Sequence, residues 1–431
     1  MMKKSLLCGI LMWIVLSVGF LTAEEPGKSP AKFQVNFSER MRMESWDNAV
    51  NLDKNANDAT VYTRNRTSLS LRWLAFGNLE FSVKLTNEFR NYLTPKTIKF
   101  KFHEVFIDQL YVKWANVGRL PLTLTLGRQN ITLGEGFVVM DGGPLDGSRS
   151  GYFNAARADY RFNENHGLTA FYCYQPETDD LLPVINNQHA PMVEQPEHGL
   201  GLYYTGTFNK TSVELYTIRK NIKSTTKRPV ESGINTLGAR VTAPVVSRLS
   251  ITAEGAYQFG TWGDFDRSAL GGYFHLDYKF AEKMPLLRTF SIGGIYLSGD
   301  DPTTPKMEGW DPLFSRWPKW SDAYIYTLIK EHSVAYWSNL NSLYVSLLLD
   351  FTERMNLLLT WHHLGANEKN FAAFPGGDGR TRGDLLVGRL DFKINQFFSG
   401  HFLWEHFNPG NFYFKGASWY NWIRFELMYK I

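Results

Sequence analysis

Arginine recurs in this sequence at alternate positions of stretches whose intervening residues are apolar. Arg40 and Arg42 alternate with Met41 and Met43, while Arg64 and Arg66 oppose Leu69, Leu71 and Trp73 in parity. Lys84, Arg90, Arg157, Arg161, Arg240, Lys279, Arg389, Lys393 and Arg424 stand on the polar parity of later stretches of the same kind. A planar guanidinium stays charged at any relevant pH and holds a carboxylate through two parallel hydrogen bonds. A row of such groups with neighbouring weak sites is the chemistry of an anion pathway, along which a ligand steps onward instead of binding once. Arg128 joins the row only if Gly127 forms a bulge that reverses the register, because Leu122, Leu124 and Leu126 otherwise leave it on the apolar side.

Carboxylates share that parity: Glu44, Glu80, Glu88, Asp159, Glu214, Glu254, Asp277, Asp391 and Glu426, with Glu254 counted among the candidate lining residues. Each base therefore reads two ways, as an anion contact or as a brace against a neighbouring acid. Arg40, Arg42, Arg64 and Arg66 are favoured as contacts, since two adjacent strands stack them where few acids are near.

Other chemistries fit less well. His362 and His363 adjoin a strand that Asp350 precedes, but alternate parity sends the two imidazoles to opposite faces, so they cannot easily share a metal ion. Ser298 and His332 lack the spacing of a hydrolytic group, and no catalytic residue is assigned. Asp300, Asp301 and Asp311 do not have EF-hand spacing and are expected to cap a turn or pair with arginines. Glu135 between Gly134 and Gly136 precedes no helix and is no phosphate cradle. Neither a cofactor nor a bound metal is expected.

The elements that must carry the arginines are strands with two different solvents. At the end of the chain Ile423, Phe425, Leu427, Tyr429 and Ile431 alternate with Trp422, Arg424, Glu426, Met428 and Lys430. The apolar parity needs a dry partner and the charged parity needs water, which is the pattern of a strand between lipid and a wet lumen. The same alternation runs through 33–44, with Glu39 the misfit on the apolar side, through 61–73 and through 79–90. Short connections at 75–77, 116–120, 163–166, 208–211, 244–248, 281–286, 353–354 and 395–396 carry turn residues. They alternate with long ones at 47–60, 93–102, 134–152, 175–197, 221–232, 261–267, 300–340, 365–382 and 408–417, the asymmetry of periplasmic turns and extracellular loops.

The expected fold is all-β, a transmembrane antiparallel β-barrel of about 18 strands. Closure leaves no unpaired edge in hydrocarbon, and a lumen of this size is wide enough for water unless loops fold into it.

Residues 1–23 read as a secretory signal: Lys3 and Lys4, an apolar run from Leu6 to Leu21, then Ala23 before Glu24 and Glu25. Residues 24–431 are then one barrel domain in the outer membrane of a Gram-negative-type cell, and Cys173 is its lone cysteine, so no intramolecular disulfide can form. The formal charge of +4 from 46 basic and 42 acidic residues gives no bulk basicity for nucleic acid. Aromatics at 15% with a mean hydropathy of −0.27 suit a barrel with one lipid face.

Four stretches carry a resemblance. L-G-R-Q-N-I-T-L-G-E-G at 126–136, N-T-L-G-A-R with A-E-G-A-Y-Q-F-G at 235–260, Y-L-S-G-D-D with W-D-P-L-F at 296–314, and F-N-P-G-N-F at 407–412 follow in order. In that order the chain resembles the alginate export family of outer-membrane porins. The resemblance implies an eighteen-stranded barrel whose electropositive lumen, partly closed by loops and a periplasmic plug, conducts an anionic polysaccharide or its oligomers. Outer-membrane lipid and periplasmic export or uptake components are its expected partners. A general or small-anion-selective porin, and a plugged surface-binding barrel, stand as alternatives.

Overall fold

The computed structural model describes residues 32–431 except 57, 76, 101–103, 141, 145–149, 190, 283, 317–318, 332–335 and 370–375. The expected signal segment and His332 lie outside the described residues.

Eighteen antiparallel strands form the wall: β1 Phe33–Asp47, β2 Thr60–Leu74, β3 Leu79–Thr94, β4 Val105–Trp114, β5 Leu122–Gln129, β6 Phe153–Asn163, β7 His166–Gln175, β8 Glu197–Phe208 and β9 Thr211–Ile222. They continue as β10 Ser232–Val246, β11 Leu249–Trp262, β12 Phe265–Lys279, β13 Leu287–Leu297, β14 Leu340–Thr352, β15 Met355–Gly365, β16 Thr381–Lys393, β17 Phe398–Pro409 and β18 Tyr420–Lys430. Each strand pairs with its neighbour in sequence. The barrel closes where β1 also pairs with β18, from Ser38 opposite Lys430 to Asp47 opposite Asn421. Closure satisfies the ladder groups that hydrocarbon would leave unpaired.

Side-chain burial follows the parity of the sequence. On β18 Trp422, Arg424 and Glu426 are buried while Ile423 and Phe425 are exposed; on β1 Met41 and Met43 are exposed and Arg40 and Glu44 buried. The short-turn rim is made by residues whose backbones take left-handed angles, among them Gly77, Asn116, Gly118, Asn209 and Arg248. One long connection is absent. Strands β11 and β12 run on to Trp262 and Phe265, which pair across a hairpin whose tip holds Gly263 at φ 58°.

The interior is filled at its long-loop end. Residues 130–140, 308–316 and 319–331 fold back between the walls, and their side chains Leu133, Phe137, Val138, Val139, Trp310, Leu313, Phe314, Tyr324 and Ile325 make one apolar core with wall residues such as Phe153, Tyr203 and Trp422. Wall glycines clear the space. A Cβ on Gly199 would lie 2.3 Å from the Phe314 ring, and one on Gly271 2.5 Å from Trp310.

These opposite faces predict opposite responses to one added charge. Phe425→Arg puts a cation in lipid at about 2–4 kcal/mol near the midplane. Asn36→Arg, on the wet parity of β1, adds the same charge to water. Heat-modifiable migration on denaturing gels, which reads barrel assembly, should be lost or much reduced for Phe425→Arg and kept for Asn36→Arg; equal loss in both would contradict the assigned faces.

Candidate lumen conduit

Strands β1, β2 and β3 bring the favoured arginines together in rows of like charge. Arg40 is directly opposite Arg66, and Arg42 opposite Arg64, across β1 and β2; Arg64 is in turn opposite Arg90 on β3. Cβ atoms of such pairs are about 4.5–5.5 Å apart, so like charges there repel unless acids intervene. The acids do intervene, which corrects the expectation that few lie near. Glu88, 1% exposed, accepts from Arg64 at 2.6 Å, Arg66 at 3.0 Å and Arg40 at 3.1 Å. Asp108 lies 3.2 Å from Arg66 and 2.7 Å from Lys84, and Glu426 pairs with Arg42. Arg90 packs over the Tyr62 ring at 4.9 Å. Arg40, Arg42, Arg64, Arg66, Lys84 and Arg90 thus cluster in this wall with Glu88, Asp108, Glu426 and the buried Glu44.

The facing wall is arranged differently. Arg240 on β10 reaches Glu214 at 2.6 Å and Glu135 of the in-folded segment at 3.0 Å. Glu254 accepts from Tyr216 at 3.0 Å and Tyr273 at 2.9 Å, and Tyr203 donates to Glu214. His275 bridges Asp277 at 2.7 Å and Glu135 at 3.3 Å, while the Lys319 ammonium donates to the Glu135 carbonyl at 2.7 Å. Arg240 and Glu254 therefore belong to a polar seat for the loop carrying Glu135.

The remaining candidates are scattered. Arg128 is buried, bidentate to Asp179 at 2.7 and 3.0 Å and 3.9 Å over the Tyr152 ring. Its strand partners run without interruption through Gly127, so no residue is inserted; the reversal comes from Gly127 at φ 122°, where a Cβ would strike the Leu110 carbonyl at 2.2 Å. Arg157 pairs with Asp159 at 2.8 Å and Arg389 with Asp391 at 2.9 Å. Arg161, Lys279 and Lys393 are exposed near the short turns. Arg424 ties Glu44, at 3.2 Å, to Asp322 of the second in-folded segment at 2.6 Å.

Sequence reasoning missed three further anchors of those segments. Lys220 holds Glu197 at 3.0 Å, Asp311 at 3.2 Å and the Leu313 carbonyl at 2.8 Å. Arg382 clasps both oxygens of Glu331 at 2.6 Å, and Glu405 accepts the backbone amides of Asp322 and Ala323. Lys220 shares the parity of Glu214 and was legible from that signal; partners in irregular loops have no period to read. The other sequence candidates have structural partners too. Asp301 caps the turn at Thr303, the Ser298 hydroxyl donates to the Glu308 carbonyl, and His362 is buried while His363 meets Asp384 on the outer face.

A family model for alginate export matches residues 29–421. The chain belongs to the alginate export family. Among solved structures, Pseudomonas aeruginosa OccK2 (OpdF), crystallised with glucuronate, superposes with a TM-score of 0.60 at 12% identity over 93% of this chain and 98% of that one. The outer-membrane protein OpdK of the same organism gives 0.60 at 11% identity over 93% and 98%, and Acinetobacter baumannii OccAB4 gives 0.59 at 11% over 94% and 100%. These likenesses are of fold: an outer-membrane channel barrel. No curated protein matches the chain.

The seat of Glu135 predicts a pH response. Burial alone would raise this carboxyl, but hydrogen bonds from His275 and Arg240 and the charge of Lys319 hold it at about 2. Asp311 is also held at about 2, burial being outweighed by Lys220, Arg267 and Arg316. A carboxyl depressed in the folded state stabilises the seat above its ordinary value of about 4.3 and loses that contribution as pH falls towards the folded value. Single-channel conductance should rise as pH falls from about 4.5 towards 2. Glu135→Gln should conduct at the raised level throughout; a Glu135→Gln profile matching wild type would contradict the seat.

Proposed function

We propose that this protein is a passive, anion-preferring conduit of the outer membrane for an acidic polysaccharide of the polyuronate type, or for its oligomers. The carrying observation is the arginine wall, in which β1–β3 stack Arg40, Arg42, Arg64, Arg66 and Arg90 with Lys84 on one parity around Glu88, Asp108 and Glu426. A polyuronate bears about one carboxylate per sugar, so it exchanges onto such groups one residue at a time while Glu88, Asp108 and Glu426 keep each site weak enough to leave. Family membership supports a polymer of this class, and the glucuronate bound to OccK2 supports a sugar carboxylate as the recognised group.

Secretion through residues 1–23 and periplasmic export or uptake components belong to the same proposal. A small-anion porin is the second reading, favoured by the packed segments 130–140, 308–316 and 319–331, which narrow the lumen.

Reversing Arg42 and Arg90, the arginines of the wall that do not bond Glu88 directly, tests the proposal with the hub intact. At an effective dielectric of about 20 a unit pair 4 Å apart interacts by about 4 kcal/mol, and lumen water and salt reduce this. Arg42→Glu with Arg90→Glu should cut anion preference, read from reversal potentials in a salt gradient, by about tenfold, and should relieve block by added polyuronate. A double variant with wild-type selectivity and block would overturn the polyuronate conduit. Block by small anions alone, without block by polymer, would favour the second reading.

A further inference from the structure

A cavity of about 450 Å³ opens under the long loops, between the upper end of β12 and the in-folded stretch that includes Lys306–Met307 and Asp311. Its volume is within the range of about 300–1,000 Å³ typical of small-molecule sites. It is far from the arginine wall in sequence and is built from different residues.

The charges around it are unevenly satisfied. Of its carboxylates, Glu194 pairs with Arg316, Asp311 with Lys220, and Glu331 with Arg382. Asp300 accepts the Glu308 amide on one oxygen, at 2.8 Å. The cations are less committed. Arg228, Arg267 and Lys369 have no carboxylate within ion-pair distance among the described residues, although all three line the cavity.

Arg267 is the decisive one. It is 5% exposed, and its only hydrogen bond among the described residues is to the Gly309 carbonyl, at 2.7 Å. Its Nε is buried without a partner, as is the Nε of Arg316 on the same cavity. Arg267 feels the Asp311 charge without an ion pair to it, and its buried Nε lacks an acceptor, a cost that an anion in the cavity would relieve. Asp311 is spent on Lys220, the Tyr336 hydroxyl at 2.7 Å and the Leu313 amide at 2.7 Å.

The cavity also offers an apolar surface beside the cation. Trp262, half-buried at the end of β11, lines it, giving an aromatic face on which the C–H side of a pyranose ring can pack. The second oxygen of Asp300 is placed to accept a sugar hydroxyl. Arginine for a carboxylate, indole for a ring face and a carboxylate for hydroxyls is a set that selects an acidic sugar over a simple inorganic anion.

We propose that this loop-side cavity is a binding subsite for a sugar carboxylate, anchored by Arg267 and platformed by Trp262, at the outer end of the conduit. The inference rests on the polyuronate reading of the lumen and adds a site at which a chain end is held as it leaves or enters. It assigns roles to two residues that the lumen account leaves idle.

Calorimetric titration of the detergent-solubilised full-length barrel with a mannuronate tetramer tests it, with maltotetraose as the neutral control of similar size. Wild-type protein should bind the tetramer and not maltotetraose. Arg267→Gln should weaken binding by about tenfold or more, through loss of a charge-assisted bidentate contact. Trp262→Ala should weaken it without restoring maltotetraose binding. Heat-modifiable migration of both variants checks assembly, and Arg267→Lys, which keeps the charge without the fork, should fall between wild type and Arg267→Gln.

Tetramer binding of wild-type strength in assembled Arg267→Gln, or equal binding of maltotetraose to wild type, overturns the subsite. Neither result touches the lumen reading if reversal potentials still report anion preference. A cation-selective wild-type channel overturns the lumen reading, and with it the basis of the subsite.

Discussion

Guanidinium groups that face one another across neighbouring strands are the constraint on which this barrel depends. Arg40 against Arg66 and Arg42 against Arg64 would force β1 and β2 apart if the charges stood alone. Glu88 removes most of that repulsion by accepting from three guanidiniums at once. Stripping the carboxylate from such a cluster is far more damaging than never having built it, because the buried charges are then uncompensated. The stacked guanidiniums therefore depend on the shared carboxylate for the strands to pair.

In-folded segments narrow the lumen at its long-loop end. Residues 130–140 and 308–316 meet inside the barrel, where the Phe314 amide donates to the Val138 carbonyl at 3.1 Å and Phe137 stacks on Trp310 at a ring distance of 5.1 Å. The in-folded segments' apolar side chains replace water at the long-loop end, and polar anchors fix them to the wall at Arg240, Lys220, Arg424 and Arg382. Displacing water strengthens every remaining charge in the lumen. Cations of the wall therefore divide by task. Those on β1–β3 gather around shared carboxylates, and those facing the loops hold the in-folded segments.

The wall was legible in the sequence because it obeys period two. Strand parity assigned Phe425 outward and Arg424 inward, and the alternation of short and long connections gave the number of strands. What parity could not supply is partnership across several strands. Glu88 stood in the list of same-parity acids, yet only the register of β1, β2 and β3 brings it to three arginines from two of them. Arg128 shows another limit: a glycine backbone angle, with no inserted residue, turns a side chain against its parity. The loop at 261–267 was misjudged because glycine and acidic residues suit a tight hairpin as well as an excursion. Segments folded into the lumen carry no repeating pattern at all, and their cores and anchors appear only with the fold.

The balance at Glu88 is the most direct measure of this account. Reversal potentials of wild type and Glu88→Gln should be recorded in planar bilayers under a salt gradient. Neutralising the carboxylate that Arg40, Arg64 and Arg66 share should make channels that assemble more anion-selective than an already anion-selective wild type. A cation-selective wild type, or a Glu88→Gln channel with unchanged selectivity, would contradict the claim that these arginines set what passes through the lumen.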